Sequence, residues 1–294
     1  MVGVWGLLRI IRLPILLGGA LGYGLGALLG LAVGGISNPI LLIISYAVVA
    51  LGDLSTHFSN DYFDVELDRS APRKIFGGSN LLVCRPDLLL PALGVAKILS
   101  LSSLALAGLA VVLGVSPLIA PLALVANIIG WLYSLPPFRL AYHGLGEAAI
   151  AVGTGFCVTA AGYLTVRGYL DTHFMLFSAA LVLYGFVLGL SLELPDMEAD
   201  RVGGKMNLVA RFGWRTCLRL ALLLCLASTV ILALYLGNIL GNILTLASLV
   251  PLTVVLFGNF LATENRSRRD VVATACILSL FAFLIISVGS LVIH

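Results

Sequence analysis

Charge is what this 294-residue chain has least of. Only 11% of its residues are Asp, Glu, Lys or Arg, where a soluble domain carries about 25%. Leu13 to Gly52 has none, and neither do Ile98 to Phe138, Ala148 to Val166, Phe174 to Leu192, Leu220 to Thr263 and Val271 to His294. With 60% hydrophobic residues, there is more apolar surface than a core of this size can hide from water, so the surrounding solvent is lipid. Cysteine and histidine are scarce as well. Cys84, Cys157, Cys217, Cys225 and Cys276 form no CxxC pair. That excludes metal-site and disulfide spacing and leaves packing residues or free thiols. His57, His143, His173 and His294 are isolated, His57 lying one turn before Asp61. The net charge of +3 calls for no nucleic acid, because basic loops at a membrane surface account for it.

What is present is apolar length. A spanning helix needs about 20 residues, so the longest charge-free runs are pairs of helices joined by turns at Gly35-Ile36-Ser37-Asn38-Pro39, Gly114-Val115-Ser116-Pro117 and Gly237 to Asn242. Nine spans are expected, roughly 13–34, 40–60, 88–113, 117–134, 145–165, 174–194, 215–236, 242–262 and 271–292. Only helices and closed barrels cross lipid. Runs this long without two-residue alternation predict an all-α polytopic membrane protein, formed as one domain over residues 1–294. The 32 glycines suit close helix packing in a bilayer. The first span is too long for a signal peptide and lacks a clear cleavage site. With the N-terminus in the cytoplasm, fifteen of the seventeen Lys and Arg residues fall on the cytoplasmic side. Arg167 is outside and Lys97 is within span three. This predicts an N-in, C-out topology.

The few acids cluster. Asn60, Asp64 and Asp68 are spaced i, i+4, i+8, and Asp61, Asp64 and Asp68 i, i+3, i+7, so both sets share one helix face. Asp53 extends that face two turns into the membrane half of span two, where acids are rare and usually functional. A second cluster, Ser191 to Asn207, holds Asp196 and Asp200 at i, i+4, Glu193 a turn earlier and a helix-breaking Pro195 between. Each cluster has an Asp-Arg pair followed by Gly-Gly (Asp68-Arg69 and Gly77-Gly78; Asp200-Arg201 and Gly203-Gly204). The two stand four spans apart, the mark of a duplicated four-helix unit. Facing carboxylates repel unless a cation bridges them. Oxygen ligands without His or Cys point to Mg²⁺ rather than zinc or copper. Mg²⁺ held by carboxylates commonly completes its shell with substrate phosphates, and Arg69, Arg73, Lys74, Arg201 and Lys205 are cations a diphosphate would meet. Glu66, Asp87, Glu198, Glu264 and Asp270 read as solvated loop charges.

The segments Asn60-Asp61-Tyr62-Phe63-Asp64-Val65-Glu66-Leu67-Asp68 and Asp196-Met197-Glu198-Ala199-Asp200 fit NDxxDxxxD and DxxxD, and Tyr133-Ser134-Leu135-Pro136-Pro137-Phe138-Arg139 lies between them. In order and spacing, over essentially the whole chain, they resemble the UbiA superfamily of intramembrane prenyltransferases. The resemblance implies nine helices around a central cavity, under a cytoplasmic cap formed by loops of about 61–87 and 196–214. It also implies Mg²⁺-dependent transfer of a prenyl group from an isoprenyl diphosphate to a lipophilic or aromatic acceptor, through an allylic carbocation. Asn60, Asp64 and Asp68 would then hold one Mg²⁺, with Asp61 beside them, and Asp196 and Asp200 the other. Arg139, Lys205, Ser134 and Arg12 are implied diphosphate contacts, with Arg69, Arg73 and Lys74 as lid residues. Tyr133 is either a π shield for the cation or an interfacial anchor. Asp53 is either a general base for the acceptor or a structural partner for Lys97, which is expected inside span three.

For the acceptor, the NDYFD stretch followed by Gly77-Gly78-Ser79 looks like the branch that prenylates dihydroxynaphthoate in quinone synthesis. It departs from that branch in lacking a Gly between the acidic positions and in having Glu193-Leu194-Pro195 before the second motif. Geranylgeranyl transfer to a glyceryl phosphate is the alternative. A cation transporter would place acids at mid-membrane on several spans, whereas here they gather at one end. No redox cofactor is implied, and the sequence says nothing of oligomeric state.

Overall fold

The computed structural model describes residues 7, 10–69, 79–235 and 239–293, and among them there are helices and turns but no strand. The order is α1 (Leu13–Ala32), α2 (Pro39–Phe63), α3 (Val65–Asp68), α4 (Leu81–Cys84), α5 (Leu89–Val112), α6 (Ile119–Ser134), α7 (Gly146–Ile150), α8 (Val158–Arg167), α9 (Thr172–Glu193), α10 (Met197–Val202), α11 (Leu208–Phe212), α12 (Trp214–Tyr235), α13 (Ile239–Leu261) and α14 (Arg266–Ile293). A π-helical stretch, Ala151–Cys157, fuses α7 to α8, and a 3₁₀ turn, Leu194–Asp196, links α9 to α10.

Local chemistry sets these limits. Asn38 caps α2 by accepting the N–H groups of Ile40 and Leu41, with Pro39 in the first helical position, where its missing N–H costs nothing. Asp171 caps α9 by accepting from Phe174 at 2.9 Å. Asn207 caps α11 by accepting from Ala210 at 2.7 Å. α5 ends ahead of Gly114, whose φ of +104° is a conformation glycine adopts without strain.

Among the described residues, eight helical stretches are long and apolar enough to cross a membrane. The remaining expected span, 117–134, is α6, with only 16 residues. At 1.5 Å per residue it reaches about 24 Å, short of a hydrocarbon core of about 30 Å. Leu135 is extended, at φ −67° and ψ 122°, because the residue before a proline is pushed out of the helical region. That ends α6 ahead of Pro136-Pro137.

The helices pack closely where the sequence is small. A Cβ on Gly26 would come within 2.0 Å of the Thr159 carbonyl oxygen, and one on Gly162 within 2.0 Å of that of Tyr23. Only glycine at both sites lets α1 and α8 touch backbone to backbone. The Tyr23 hydroxyl, Ser45 and Thr165 share hydrogen bonds of 2.6 Å, satisfying polar groups of α1, α2 and α8 inside the bundle. Ile43, Leu101, Leu246, Phe260 and Ile285 point outward and exposed, as lipid-facing side chains do. Lys97 also points outward. The alternative that made it the structural partner of Asp53 is therefore wrong. A charge within a span does not fix the side it faces, and a lysine's long stem lets its ammonium snorkel toward water.

Parts of α1, α2, α6, α9, α14 and the α7–α8 stretch surround a cavity of about 380 Å³. Its walls are mostly apolar. Its polar end is formed by the C-terminal turns of α2 and α9.

Candidate active site

α2 runs through Asn60 and Asp61 to its last residue, Phe63. Asp64 caps it, its N–H donating to the Asn60 carbonyl at 2.9 Å, and the single turn of α3 carries Asp68. The regular spacing thus survives a break in the helix: Asn60, Asp61, Asp64 and Asp68 all line the cavity. Asp61 and Asp64 are held by different parts of the chain. Asp61, buried, accepts from Arg12 at 2.5 Å and from the Ser79 hydroxyl at 2.5 Å. Asp64 accepts from Ser134 at 2.8 Å and from Tyr142 at 3.0 Å. Burial pushes the Asp64 carboxyl upward, while Lys205 and these two hydroxyls pull it back toward the charged form. The same burial, with Asp64 beside it, pushes the Tyr142 phenol well up, so it stays a donor.

The second acidic end is built locally. α9 gives way at Leu194–Asp196, where Pro195 removes a helical donor, and α10 turns Asp200 back toward Glu193. Carboxylate oxygens of Glu193, Asp196 and Asp200, all buried, lie within 4.8 Å of one another. The next loop returns to them. The Lys205 ammonium donates to Glu193 at 3.0 and 3.1 Å and stands 3.9 Å from Asp200. The Asn207 amide donates to Asp200 at 2.6 Å and to Glu193 at 3.1 Å. Burial alone would lower the Lys205 pKa, but Glu193, Tyr133, Asp200 and Asp64 hold it well above the ordinary lysine value, so the ammonium is charged. Tyr133 lines the cavity and donates to Glu193 at 3.3 Å.

The expected site residues are therefore sorted by the fold. Asn60, Asp61, Asp64, Asp68, Asp196, Asp200, Tyr133, Arg12, Lys205 and Asp53 share the cavity wall. Ser134, expected against diphosphate, is fully buried and spends its hydroxyl on Asp64, so it positions that carboxylate instead. Arg139 lies over the Tyr142 ring at 4.9 Å, outside the cavity lining. Arg69 is exposed and pairs with Glu66 at 3.1 Å. Arg73 and Lys74 lie outside the described residues. Asp53 has His57 as its partner, Nε2 to Oδ1 3.5 Å, in place of Lys97.

Four contributors were not assigned from sequence. Glu193 belongs to the second cluster, and its place a turn before Asp196 was the available signal. Asn207 ends the same stretch. Tyr142 follows Arg139 with no pattern to mark it. Arg269, fully buried in α14, grips Glu198 of α10 and the Glu264 carbonyl, so Glu198 is more than a solvated charge.

The donor set suits a hard divalent cation. It offers carboxylates and one amide oxygen, with no thiolate or imidazole among them. The Asn60 Oδ1 is buried and makes no hydrogen bond to protein, as an atom reserved for a ligand would be.

The model of the UbiA prenyltransferase family matches residues 20–286. Among solved structures, a UbiA homologue from Archaeoglobus fulgidus bound to GPP and Mg²⁺ superposes with a TM-score of 0.69 at 18% identity, covering 95% of this chain and 99% of that one. An apo UbiA homologue from Aeropyrum pernix K1 gives 0.69 at 18%, covering 94% and 96%. A structure described as digeranylgeranylglyceryl phosphate synthase gives 0.68 at 18%, covering all of both chains. At that identity these structures are alike in fold. No curated protein sequence matches the chain.

Proposed function

Because the chain belongs to the UbiA prenyltransferase family, we propose that it transfers a prenyl group from an isoprenyl diphosphate to a lipophilic or aromatic acceptor inside the bilayer. The observation that carries this reading is the convergence of two acidic helix ends, Asn60, Asp64 and Asp68 on one side and Glu193, Asp196 and Asp200 on the other, at the mouth of one apolar cavity. In the proposed reaction the donor's tail occupies the apolar part and its diphosphate lies at the acidic end. Asn60, Asp64 and Asp68 on one side and Asp196 and Asp200 on the other would hold Mg²⁺, which would supply positive charge to the leaving diphosphate; the A. fulgidus homologue is bound to GPP and Mg²⁺.

The chain's own residues do the rest. Lys205 and Arg12 add fixed positive charge at the same end, preorganised by their carboxylate partners. Ser134 and Tyr142 keep Asp64 aimed inward. The apolar walls keep water from the allylic cation, and Tyr133 offers it a π face. We place the acidic end at the cytoplasmic surface, with nine crossings, N-terminus inside and C-terminus outside. Fifteen of seventeen basic residues then fall on the cytoplasmic side, and α6 crosses a part of the bundle where its neighbours are longer. The acceptor we assign is an aromatic quinone precursor of the dihydroxynaphthoate kind.

The test is incubation of purified protein with geranylgeranyl diphosphate, Mg²⁺ and a panel of dihydroxynaphthoate, hydroxybenzoate and a glyceryl phosphate, with products read by mass. Prenylated dihydroxynaphthoate is expected. A glyceryl ether product would move the acceptor to the other class, and undiminished diphosphate release by Asp64→Ala would sink the reading.

A further inference from the structure

The cavity contains a second polar feature that the donor site does not use. Asp53 and His57 sit one turn apart on α2, and both line the cavity. The Asp53 side chain is 31% exposed, toward that space, while the His57 side chain is only 5% exposed. The His57 Nε2 stands 3.5 Å from the Asp53 Oδ1, and its Nδ1 is buried with no hydrogen-bond partner. Along α2 their neighbours in the lining, Val49, Ala50, Gly52 and Thr56, are apolar or hydroxyl-bearing, and Asn127, which abuts Gly52, spends its amide on Ser100, Ser103 and the Ala123 carbonyl. Arg12, the cation whose field reaches both residues, is already bound to Asp61. A carboxylate and an imidazole in such a place, with one ring nitrogen unsatisfied, have an unmet partner.

Their depth identifies the partner. Seven residues of helix separate Asp53 from Asn60, about 10 Å along the axis. A donor bound at Asn60 puts its C1 a metal bond of about 2 Å and a few covalent bonds below the acidic end. The acceptor atom must lie about 3 Å beyond C1, and a base about 3 Å beyond the acceptor's proton. These steps together reach the depth of Asp53. We infer that Asp53 is the base that takes the proton from the prenyl acceptor, and that His57 is the positioning residue that orients it.

This rests on the proposed prenyl transfer and specifies its second half. The donor's C–O bond breaks and its electron pair leaves with diphosphate. An electron pair of the acceptor, from a ring carbon or a hydroxyl oxygen, forms the new bond to C1. The proton on that carbon or oxygen passes to the Asp53 carboxylate, and no redox partner is needed.

The experiment separates the two halves. Full-length protein is given geranylgeranyl diphosphate and Mg²⁺, and diphosphate release is measured without acceptor. Product is then measured with whichever acceptor of the panel the wild type prenylates. Asp53→Asn should release diphosphate within about twofold of wild type yet lose product by on the order of 10²-fold or more. Asp53→Glu should recover part of it, and His57→Gln should give an intermediate loss with release retained. Acceptor deuterated at the reacting carbon should reveal a primary isotope effect in Asp53→Asn that the wild type lacks. Wild-type product formation by Asp53→Asn would overturn the inference. So would a parallel loss of release in Asp53→Asn and Asp53→Glu, which would make Asp53 part of the donor site. Should Asp53→Asn not hold its fold, Asp53→Glu and His57→Gln carry the same comparison. The prenyl-transfer reading fails separately, through undiminished release by Asp64→Ala.

Discussion

The two acidic helix ends look like repeats of one device in the sequence, but they are held in opposite ways. The end of α2 is held from afar. Arg12 lies 49 residues away, Ser79 18, Ser134 70 and Tyr142 78. The end of α9 is held mainly by its own downstream loop, with Lys205 12 residues from Glu193 and Asn207 7 from Asp200, and by two distant bonds, Tyr133 60 residues from Glu193 and Arg269 71 from Glu198. The first end therefore forms only when α1, the residues beyond α2 and the loop after α6 have all docked, whereas the charges of the second are neutralised largely within its own loop, with α6 and α14 adding one bond each. The difference points to the α2 end as the half whose geometry responds to the rest of the molecule.

The largest expected effect removes charge from either end. Asp64→Ala and Asp196→Ala should each lower Mg²⁺-dependent diphosphate release by on the order of 10³-fold, and a much larger loss at one end would break the equivalence of the two. Next comes Lys205→Met. It leaves Glu193 and Asp200 buried without their cation, a loss of about 3–5 kcal/mol, read as a lower unfolding midpoint in detergent. A midpoint unchanged from wild type would show that the local ion cluster does not hold the second end. Tyr142→Phe and Ser134→Ala remove single hydroxyls from Asp64 and should weaken Mg²⁺ by about 10- to 100-fold, as such supporting groups do, measured by metal titration of activity. The same titration on Asn207→Asp tests whether the local module tolerates what the remote one does not. The smallest effect belongs to Glu198→Gln. Its side chain is 53% exposed but the Arg269 it pairs with is buried; glutamine can still accept from that guanidinium, so a loss of at most about 1.5–3 kcal/mol, below that of Lys205→Met, is expected in thermal unfolding.

The helices were legible because lipid imposes length and polarity on any span. The expected 174–194 became Thr172–Glu193, and 13–34 became Leu13–Ala32. α6 ends at 134 as expected, ahead of Pro136-Pro137, and is shorter than expected at its start, beginning at Ile119 instead of 117. The spacing of Asn60, Asp64 and Asp68 revealed a shared face, since that arises from helical period alone. The π-helical turn in Ala151–Cys157 was not visible, although Gly153 and Gly155 mark the stretch. A π turn depends on how neighbouring helices press on the backbone. The partner of Asp53 was misread because a charge within a span says nothing of its azimuth: Lys97 faces outward, and His57, one turn along the same helix as Asp53, faces inward.

The sequence by itself determined that this is an all-α membrane protein with two carboxylate-bearing helix ends, because composition, period and spacing are local properties of the chain. Only the tertiary structure decided which cation neutralises which acid, that Ser134 serves Asp64, that Arg269 reaches Glu198, and that Asp53 and His57 share the cavity. Most of those pairings join residues far apart in the chain, and they exist only because burial in a tightly packed bundle makes an unpaired charge too costly to leave.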